Sequence, residues 1–77
     1  MNITSGDFAV TNNGIVNNNG GTVSGTNSSN GTFTQNSGII NSVENSGTIN
    51  VIDGTVKDLT SNNIANITGG TLNKIIN

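Results

Sequence analysis

The chain has 77 residues, no Cys, no His and a formal net charge of −2. The missing residue types exclude a disulfide framework and a thiolate or imidazole metal site. Asn, Gly, Thr and Ser supply 47 of the 77 residues, but the high net charge of most disordered chains is absent. We therefore expect an ordered chain, stabilised by Asn or Thr ladders between stacked strands.

Two partner classes lack their usual sequence signals. No basic cluster is present, and Phe8 and Phe33 are the only aromatic residues, so neither the charge nor the stacking groups for nucleic-acid binding are available. The sequence contains no run of about twenty apolar residues that could span a membrane. The opening MNITSGDFAV also lacks the basic and apolar regions of a signal peptide.

A short phrase recurs along the whole chain. Each copy opens on a small anchor residue, and the residue two positions later is apolar in all nine copies, although only 30% of the chain is apolar. The anchors are Gly6, Gly14, Gly21, Gly31, Gly38, Gly47, Gly54, Asn62 and Gly70. The apolar residues that follow are Phe8, Val16, Val23, Phe33, Ile40, Ile49, Val56, Ile64 and Leu72.

A second column stands five residues past each anchor. It is polar in the first four copies, at Thr11, Asn19, Thr26 and Asn36, and Ile3 would fit it if a further copy preceded them. In the last five copies it is apolar, at Val43, Ile52, Leu59, Ile67 and Ile75. Because both columns should face a core but are an odd number of residues apart, each unit must bend.

The repeat predicts an all-β fold, a parallel β-solenoid (β-helix) formed by a single domain over residues 1–77. Val, Ile, Thr and Phe favour strands, whereas Asn, Ser and Gly favour turns with positive φ. Antiparallel hairpins are the alternative, but they would not need one phrase in one order. Pairing successive anchors gives steps of 15, 17, 16 and 16 along the sequence, hence about 16 residues per coil, two half-repeats per coil and nearly five coils.

This register makes two further predictions. Asp58 and Lys74 occupy the same place in successive coils, so they should be neighbours and form an inter-coil ion pair. The coils from Ile39 onward should be more stable, because both of their inward columns are apolar, whereas inward Asn side chains in the earlier coils should bond one another in a ladder.

Neither end of the chain resembles a solenoid cap. MNITSGDF contains no amphipathic helix, and LNKIIN ends while the repeat continues. Solenoid coils stack only on their neighbours and expose backbone groups where the stack stops. We therefore expect the chain to bind itself through its ends, as a homo-oligomer or filament, or to belong to a longer solenoid.

No catalytic or metal site can be assembled. The sequence has no nucleophile with a base, no paired carboxylates and no phosphate-binding loop, so we expect no enzyme activity and no cofactor. Asp7 and Asp53 lack the repeated pattern of calcium-binding rolls. Four glycosylation sequons, at Asn2, Asn27, Asn30 and Asn66, are the number that this composition gives by chance.

Thr residues one position past the anchors should stack into outward columns. They are Thr22, Thr32, Thr48, Thr55 and Thr71. Regular Thr arrays are typical of ice-binding surfaces, but here Thr22, Thr55 and Thr71 share a face interrupted by Ile39, and Thr32 and Thr48 lie between Ile15 and Asn63 on the other. Stacking of β-branched residues at strand starts explains the columns as well.

The phrases NNGIVNNNGGTVSGT, NSGTINVIDGTV and GGTLNKIIN carry a family resemblance. They are similar to the Asn/Gly/Thr-rich repeats in passenger regions of bacterial autotransporters and filamentous-haemagglutinin-like adhesins. The resemblance implies a parallel β-helix at a cell surface, although this sequence has no export signal, no outer-membrane barrel and far fewer coils. A weaker resemblance is to grass-type ice-binding β-rolls.

The sequence therefore predicts a non-catalytic structural protein, a subunit or fragment of a fibre or surface adhesin stalk whose coils stack across chains. The resemblance implies a location at a cell surface; an extracellular location or a virion fibre is also expected, since phage fibres use the same stacking of repeats. The alternative is a ligand-binding solenoid surface that recognises ice or a glycan. No small-molecule ligand, nucleic acid or membrane partner is expected.

Overall fold

Eight strands make up most of the chain that the structure describes. The computed structural model describes residues 1–76, and Asn77, the last residue of the predicted domain, lies outside them. No helix occurs in residues 1–76. The strands are β1 (Asn2–Ile3), β2 (Asp7–Asn12), β3 (Ile15–Asn27), β4 (Thr32–Asn45), β5 (Thr48–Val51), β6 (Thr55–Ser61), β7 (Ile64–Ile67) and β8 (Thr71–Ile76).

Each strand pairs in parallel with the chain one coil away. The register joins Asp7 to Thr22, Thr22 to Ile39, and Ile39 to Thr55, with steps of 15, 17 and 16 along the sequence. Thr55 pairs with Thr71, a further step of 16. The prediction of an all-β parallel solenoid, with about 16 residues per coil, is confirmed with the same succession of coil lengths.

Every coil has two strand-forming sides. The first side is formed by β1, residues 15–18 of β3, residues 32–35 of β4, β5 and β7. The second side is formed by β2, residues 22–27 of β3, residues 39–45 of β4, β6 and β8. β3 and β4 therefore pass round the bend between the sides. Val, Ile, Thr and Phe recur in both sides because β-branched and aromatic residues pack well on a pleated, half-buried surface.

Glycines form the bend from the first side to the second, here named the glycine corner. Gly38, Gly54 and Gly70 occupy equivalent places there, with φ of 89°, 93° and 95°. A Cβ added to Gly54 would lie 2.5 Å from the carbonyl oxygen of Gly38 on the preceding coil. Positive φ was also predicted for Asn and Ser, but within residues 1–76 only glycines adopt it, because a Cβ makes that conformation costly.

The hydrophobic core fills the space between the two sides. In the middle coils apolar side chains from both sides meet and are covered by coils above and below. Ten apolar side chains are buried: Ile3, Val16, Val23, Phe33, Ile40, Val43, Ile49, Val51, Val56 and Leu59. Val10, Ala65, Ile67 and Ile75 are partly buried and pack against this cluster.

Candidate functional site: inward columns, polar ladder and end coils

The first inward column on the first side follows strict strand alternation. Val16 pairs with Phe33, and Phe33 pairs with Ile49, and all of them are buried. The next member was predicted to be Ile64, but Ile49 pairs with Ala65. Ile64 instead pairs with Thr48 and is 48% exposed. The prediction was wrong because the residue aligned with Gly47 is Asn63 rather than the chosen anchor, Asn62.

The second inward column on this side was misplaced by one residue. The predicted Ile52 is 50% exposed, whereas Val51 is fully buried. Residues 48–51 form a straight strand, so Ile49 and Val51 face inward together and no bend separates them. The column contains Ile3, Asn18, Gln35, Val51 and Ile67.

Two predicted inward amides on this side lie on the outside. Asn19 is exposed and Asn36 is half-buried, and the Asn36 amide donates to the Asn19 side-chain oxygen at 3.0 Å on the surface. The inward amides are their neighbours, Asn18 and Gln35, which are fully buried. Asn18 Nδ2 donates to Gln35 Oε1 at 2.6 Å, and its Oδ1 accepts from the Gly21 backbone N–H at 2.9 Å.

On the second side the predicted bend exists in the later coils only. Inward Val43, Leu59 and Ile75 lie three residues past inward Ile40, Val56 and Leu72, as the five-residue column predicts. In the first two coils the spacing is two residues, because Val10 and Gly25 hold the equivalent positions. Thr11 and Thr26, predicted inward, are therefore exposed.

A third inward column, the Asn corner, closes the second side and is absent from the sequence-based prediction. It contains Asn12, Asn27, Asn45 and Ser61, all buried. Asn12 Nδ2 donates to Asn27 Oδ1 at 2.8 Å, and Asn27 Nδ2 donates to Asn45 Oδ1 at 2.7 Å. Asn45 Nδ2 then donates to Ser61 Oγ at 3.2 Å. The predicted amide ladder between coils therefore exists, but at other residues.

The same amides also close the turn into the next coil. Asn45 Oδ1 accepts from the Gly47 backbone N–H at 3.2 Å, and its Nδ2 donates to the Ile64 carbonyl at 2.9 Å. Asn27 Nδ2 donates to the Thr48 carbonyl at 3.0 Å. The signal in the sequence was the N-x-G spacing at Asn12-Gly14 and Asn45-Gly47, where an Asn side chain can bond the backbone two residues on.

The outward columns mix Thr with other residues. One runs Asp7, Thr22, Ile39, Thr55, Thr71 and the other runs Ile15, Thr32, Thr48, Ile64. The second column therefore ends on Ile64. Asn63 was predicted at this position, but Asn63 aligns with Gly47, so the prediction was one residue out of register. Neither column is an uninterrupted Thr array.

Charged side chains are sparse on the outer surface of the solenoid. Asp58 and Lys74 are register partners on adjacent coils, and the ion pair between them stays a prediction. Within the described residues, no three His, Cys, Asp or Glu side chains come close enough to hold a metal ion. Residues 1–76 also include no helix long and apolar enough to cross a membrane.

The end coils hold the least covered apolar side chains of the inward columns. Phe8 on the first coil is 42% exposed and Leu72 on the last is 43% exposed, yet their register partners Val23 and Val56 are buried. Phe8 and Leu72 were predicted to be inward core residues. They align with the buried Val23 and Val56, but both are exposed because no described coil covers them. These two coil faces are the candidate functional surfaces.

Comparison with known proteins adds no relative to this description. No protein-family model, no curated protein and no solved structure matches the chain.

Proposed function

We propose that the chain is a non-catalytic structural protein, a β-solenoid subunit that assembles through its end coils into a fibre. The observation that carries this proposal is the exposure of Phe8 and Leu72 in columns whose other members are buried. Apolar side chains and strand edges at a coil face are covered when another coil stacks there, which removes apolar surface from water and pairs the free backbone groups.

The composition supports a structural role over catalysis. The charged side chains are two Lys and four acidic residues, and the chain has no His or Cys. The buried polar groups are amides and one hydroxyl that bond to turns and to one another. These groups hold coils in register, and general acid–base chemistry needs groups of another kind. The resemblance of the repeats to adhesin passenger regions supports a surface fibre or stalk as the setting.

Assembly is tested on the whole chain by sedimentation and electron microscopy over a range of concentrations. We expect elongated particles that lengthen as concentration rises. Monodisperse single-chain particles at concentrations up to about millimolar, where contacts worth only about 4 kcal/mol are populated, would overturn the proposal.

A matched pair of variants separates end contacts from side contacts. Leu72 and Ile64 are both on the last coil and are 43% and 48% exposed, but Leu72 is in an inward column and Ile64 faces outward. Leu72→Lys should abolish assembly, because a charge would be buried in the joint. Ile64→Lys should leave assembly intact. The reverse result would mean that the chains associate through their outer faces.

A ligand-binding surface is the second candidate. An open groove of about 330 Å³ is lined by residues of the first three coils, Asp7, Phe8, Ala9, Thr22, Ser24 and Asn41. A carboxylate, an amide and hydroxyls are groups that hydrogen-bond sugar hydroxyls. Titration with a panel of oligosaccharides, read by shifts of the groove amides in NMR spectra, tests it, and unchanged spectra at millimolar sugar would exclude it. For ice binding, the corresponding measurement is thermal hysteresis.

A further inference from the structure

The two end coils match one another column by column. The first coil offers Ile3, Phe8 and Val10, and Met1 continues the Val16 column, since the next residue, Asn2, pairs with Asn17. The last coil offers apolar residues in the same four columns: Ala65, Ile67, Leu72 and Ile75. A second copy stacked in the same direction would therefore place an apolar side chain on an apolar side chain in each of these columns.

The charges on the end coils favour the same arrangement. Asp7 lies on the first coil and Lys74 on the last, both on the second side, and both are exposed. When a last coil meets a first coil, opposite charges approach each other. When two first coils or two last coils meet, this attraction between Asp7 and Lys74 is absent.

We propose that a second copy of the chain binds head to tail, with the parallel register continuing across the joint. Thr71 of one copy then pairs with Asp7 of the next, just as Thr55 pairs with Thr71 inside the chain, and Leu72 covers Phe8. Each copy uses two different faces, so the contact does not close on itself and generates an open filament. This inference rests on the proposed function and adds the partner, the direction and the register.

Engineered disulfides test the register, since the chain contains no cysteine of its own. The probes are Asp7→Cys and Thr71→Cys, which are both exposed and belong to one outward column. Neighbouring parallel strands are about 4.8 Å apart, within the Cα separation that a disulfide accepts. Inside one chain the two positions are separated by four coil steps, about 19 Å, so they can bond only between copies.

Under oxidising conditions, each single variant alone should stay uncrosslinked, and an equimolar mixture should yield covalent dimers containing one of each. The chain that carries both cysteines should yield a ladder of covalent oligomers. Asp7→Cys mixed with Ile64→Cys is the control, because Ile64 lies on the first side of the last coil and should not reach Asp7. Replacing Asp7 removes its attraction to Lys74, so this probe does not bias the result towards the proposed direction.

The outcomes distinguish this inference from the proposed function. Covalent dimers of a single variant alone would overturn the head-to-tail direction and leave assembly through the ends in place. Filaments that form without cross-links in the mixture, or that cross-link equally in the Ile64→Cys control, would overturn the register. Absence of any assembly by sedimentation would overturn the proposed function itself, and this inference with it.

Discussion

Inward amide side chains stand at both corners of the solenoid, but their hydrogen-bonding groups find partners to different extents. At the Asn corner, an amide or hydroxyl stands in four successive coils, Asn12, Asn27, Asn45 and Ser61. Each amide donates to the oxygen of the next member and to backbone carbonyls of the turn. The inward polar groups there form hydrogen bonds with one another, so their burial carries little desolvation penalty.

At the glycine corner, only Asn18 and Gln35 are inward amides, and the column continues into Val51 and Ile67. Asn18 bonds the turn and donates to Gln35, but Gln35 Nε2 has no hydrogen-bond partner. An inward amide on a solenoid needs an acceptor on the next coil, and Val51 offers none. The ladder at the glycine corner is therefore satisfied at Asn18 and leaves an unpaired amide nitrogen at Gln35, where it ends.

Asn27→Ala should be the most destabilising change in this comparison. The change takes away the donor to Asn45 Oδ1, the donor to the Thr48 carbonyl and the acceptor of Asn12 Nδ2. The Asn27 side chain itself is buried. With about 1 kcal/mol for each of the three hydrogen bonds lost, and a further cost for the cavity left by the buried side chain, the loss should be roughly 3–5 kcal/mol. Denaturant unfolding followed by circular dichroism measures it.

The control is Asn17→Ala. This change breaks a hydrogen bond of the same kind, from Asn17 Nδ2 to Asn2 Oδ1, on the outer surface. That change should cost less than about 0.5 kcal/mol, because water replaces the lost partner. Similar losses in the two variants would mean that the inward ladder contributes no more than an exposed one.

Gly54→Ala tests the backbone of the glycine corner and should cost about 2–4 kcal/mol. A Cβ there would adopt φ of 93° and lie 2.5 Å from the Gly38 carbonyl oxygen and 3.0 Å from Gln35 Nε2. Gly14→Ala is the control, since no atom lies within 4 Å of its added Cβ and its φ is not positive. Equal midpoints of thermal unfolding for the two variants would contradict this account of the corner.

The sequence predicted the fold well because coil length is a periodic property. Every coil must return the chain to the same place, so the anchors recur with the coil lengths found in the structure, from Gly6 and Gly21 to Gly54 and Gly70. Errors in single half-repeats cancelled over whole coils. The half-step from Gly54 to Asn62 was one residue short and that from Asn62 to Gly70 one residue long, for example, yet the whole step from Gly54 to Gly70 equals the register step from Thr55 to Thr71, as predicted.

The inward positions were harder to predict because the two sides differ in local geometry. One spacing was applied to both sides, whereas the first side is straight and only the later coils of the second side contain the extra residue. An exposed Ile52 beside a buried Val51 offers no compositional clue, since both are β-branched and apolar. The Asn corner was missed because Asn is frequent everywhere, and the N-x-G spacing found at Asn12 and Asn45 also occurs at the outward Asn36.

Val51→Asn tests how the ladder at the glycine corner ends. Its side-chain oxygen could accept from Gln35 Nε2, just as Asn45 accepts from Asn27. Ile49→Asn, two residues earlier in the same strand and equally buried, has no such partner and should cost about 2–4 kcal/mol. Val51→Asn should therefore cost at least about 1 kcal/mol less, the value of one buried hydrogen bond.

Two neighbouring changes check the register in the same experiment. Ile52→Asn and Thr48→Asn alter outward side chains and should change the free energy of unfolding by less than about 0.5 kcal/mol. If Ile52→Asn were as costly as Ile49→Asn, the sequence-based column would be correct and the observed inward position of Val51 would be wrong.

Gln35→Met should have the smallest effect among the changes to buried side chains, with a free energy of unfolding within about 1 kcal/mol of the parent's. The change removes the unpaired Nε2 and keeps a side chain of similar length in the core, which is favourable. It also removes the acceptor of Asn18 Nδ2, but that group keeps its bond to the Gly21 carbonyl at 3.0 Å. The two effects oppose each other and are of similar size.

Asn45→Leu is the matched change at the other corner, where the amide bonds Asn27, Gly47, Ser61 and Ile64. It should be the more destabilising of the two by about 2 kcal/mol or more, because several buried groups lose their partners together. The difference between these two variants compares an amide inside a continuous ladder with one at which a ladder ends. If Gln35→Met proved as costly as Asn45→Leu, the amide at the glycine corner would be contributing as much as the continuous ladder, despite its unpaired nitrogen.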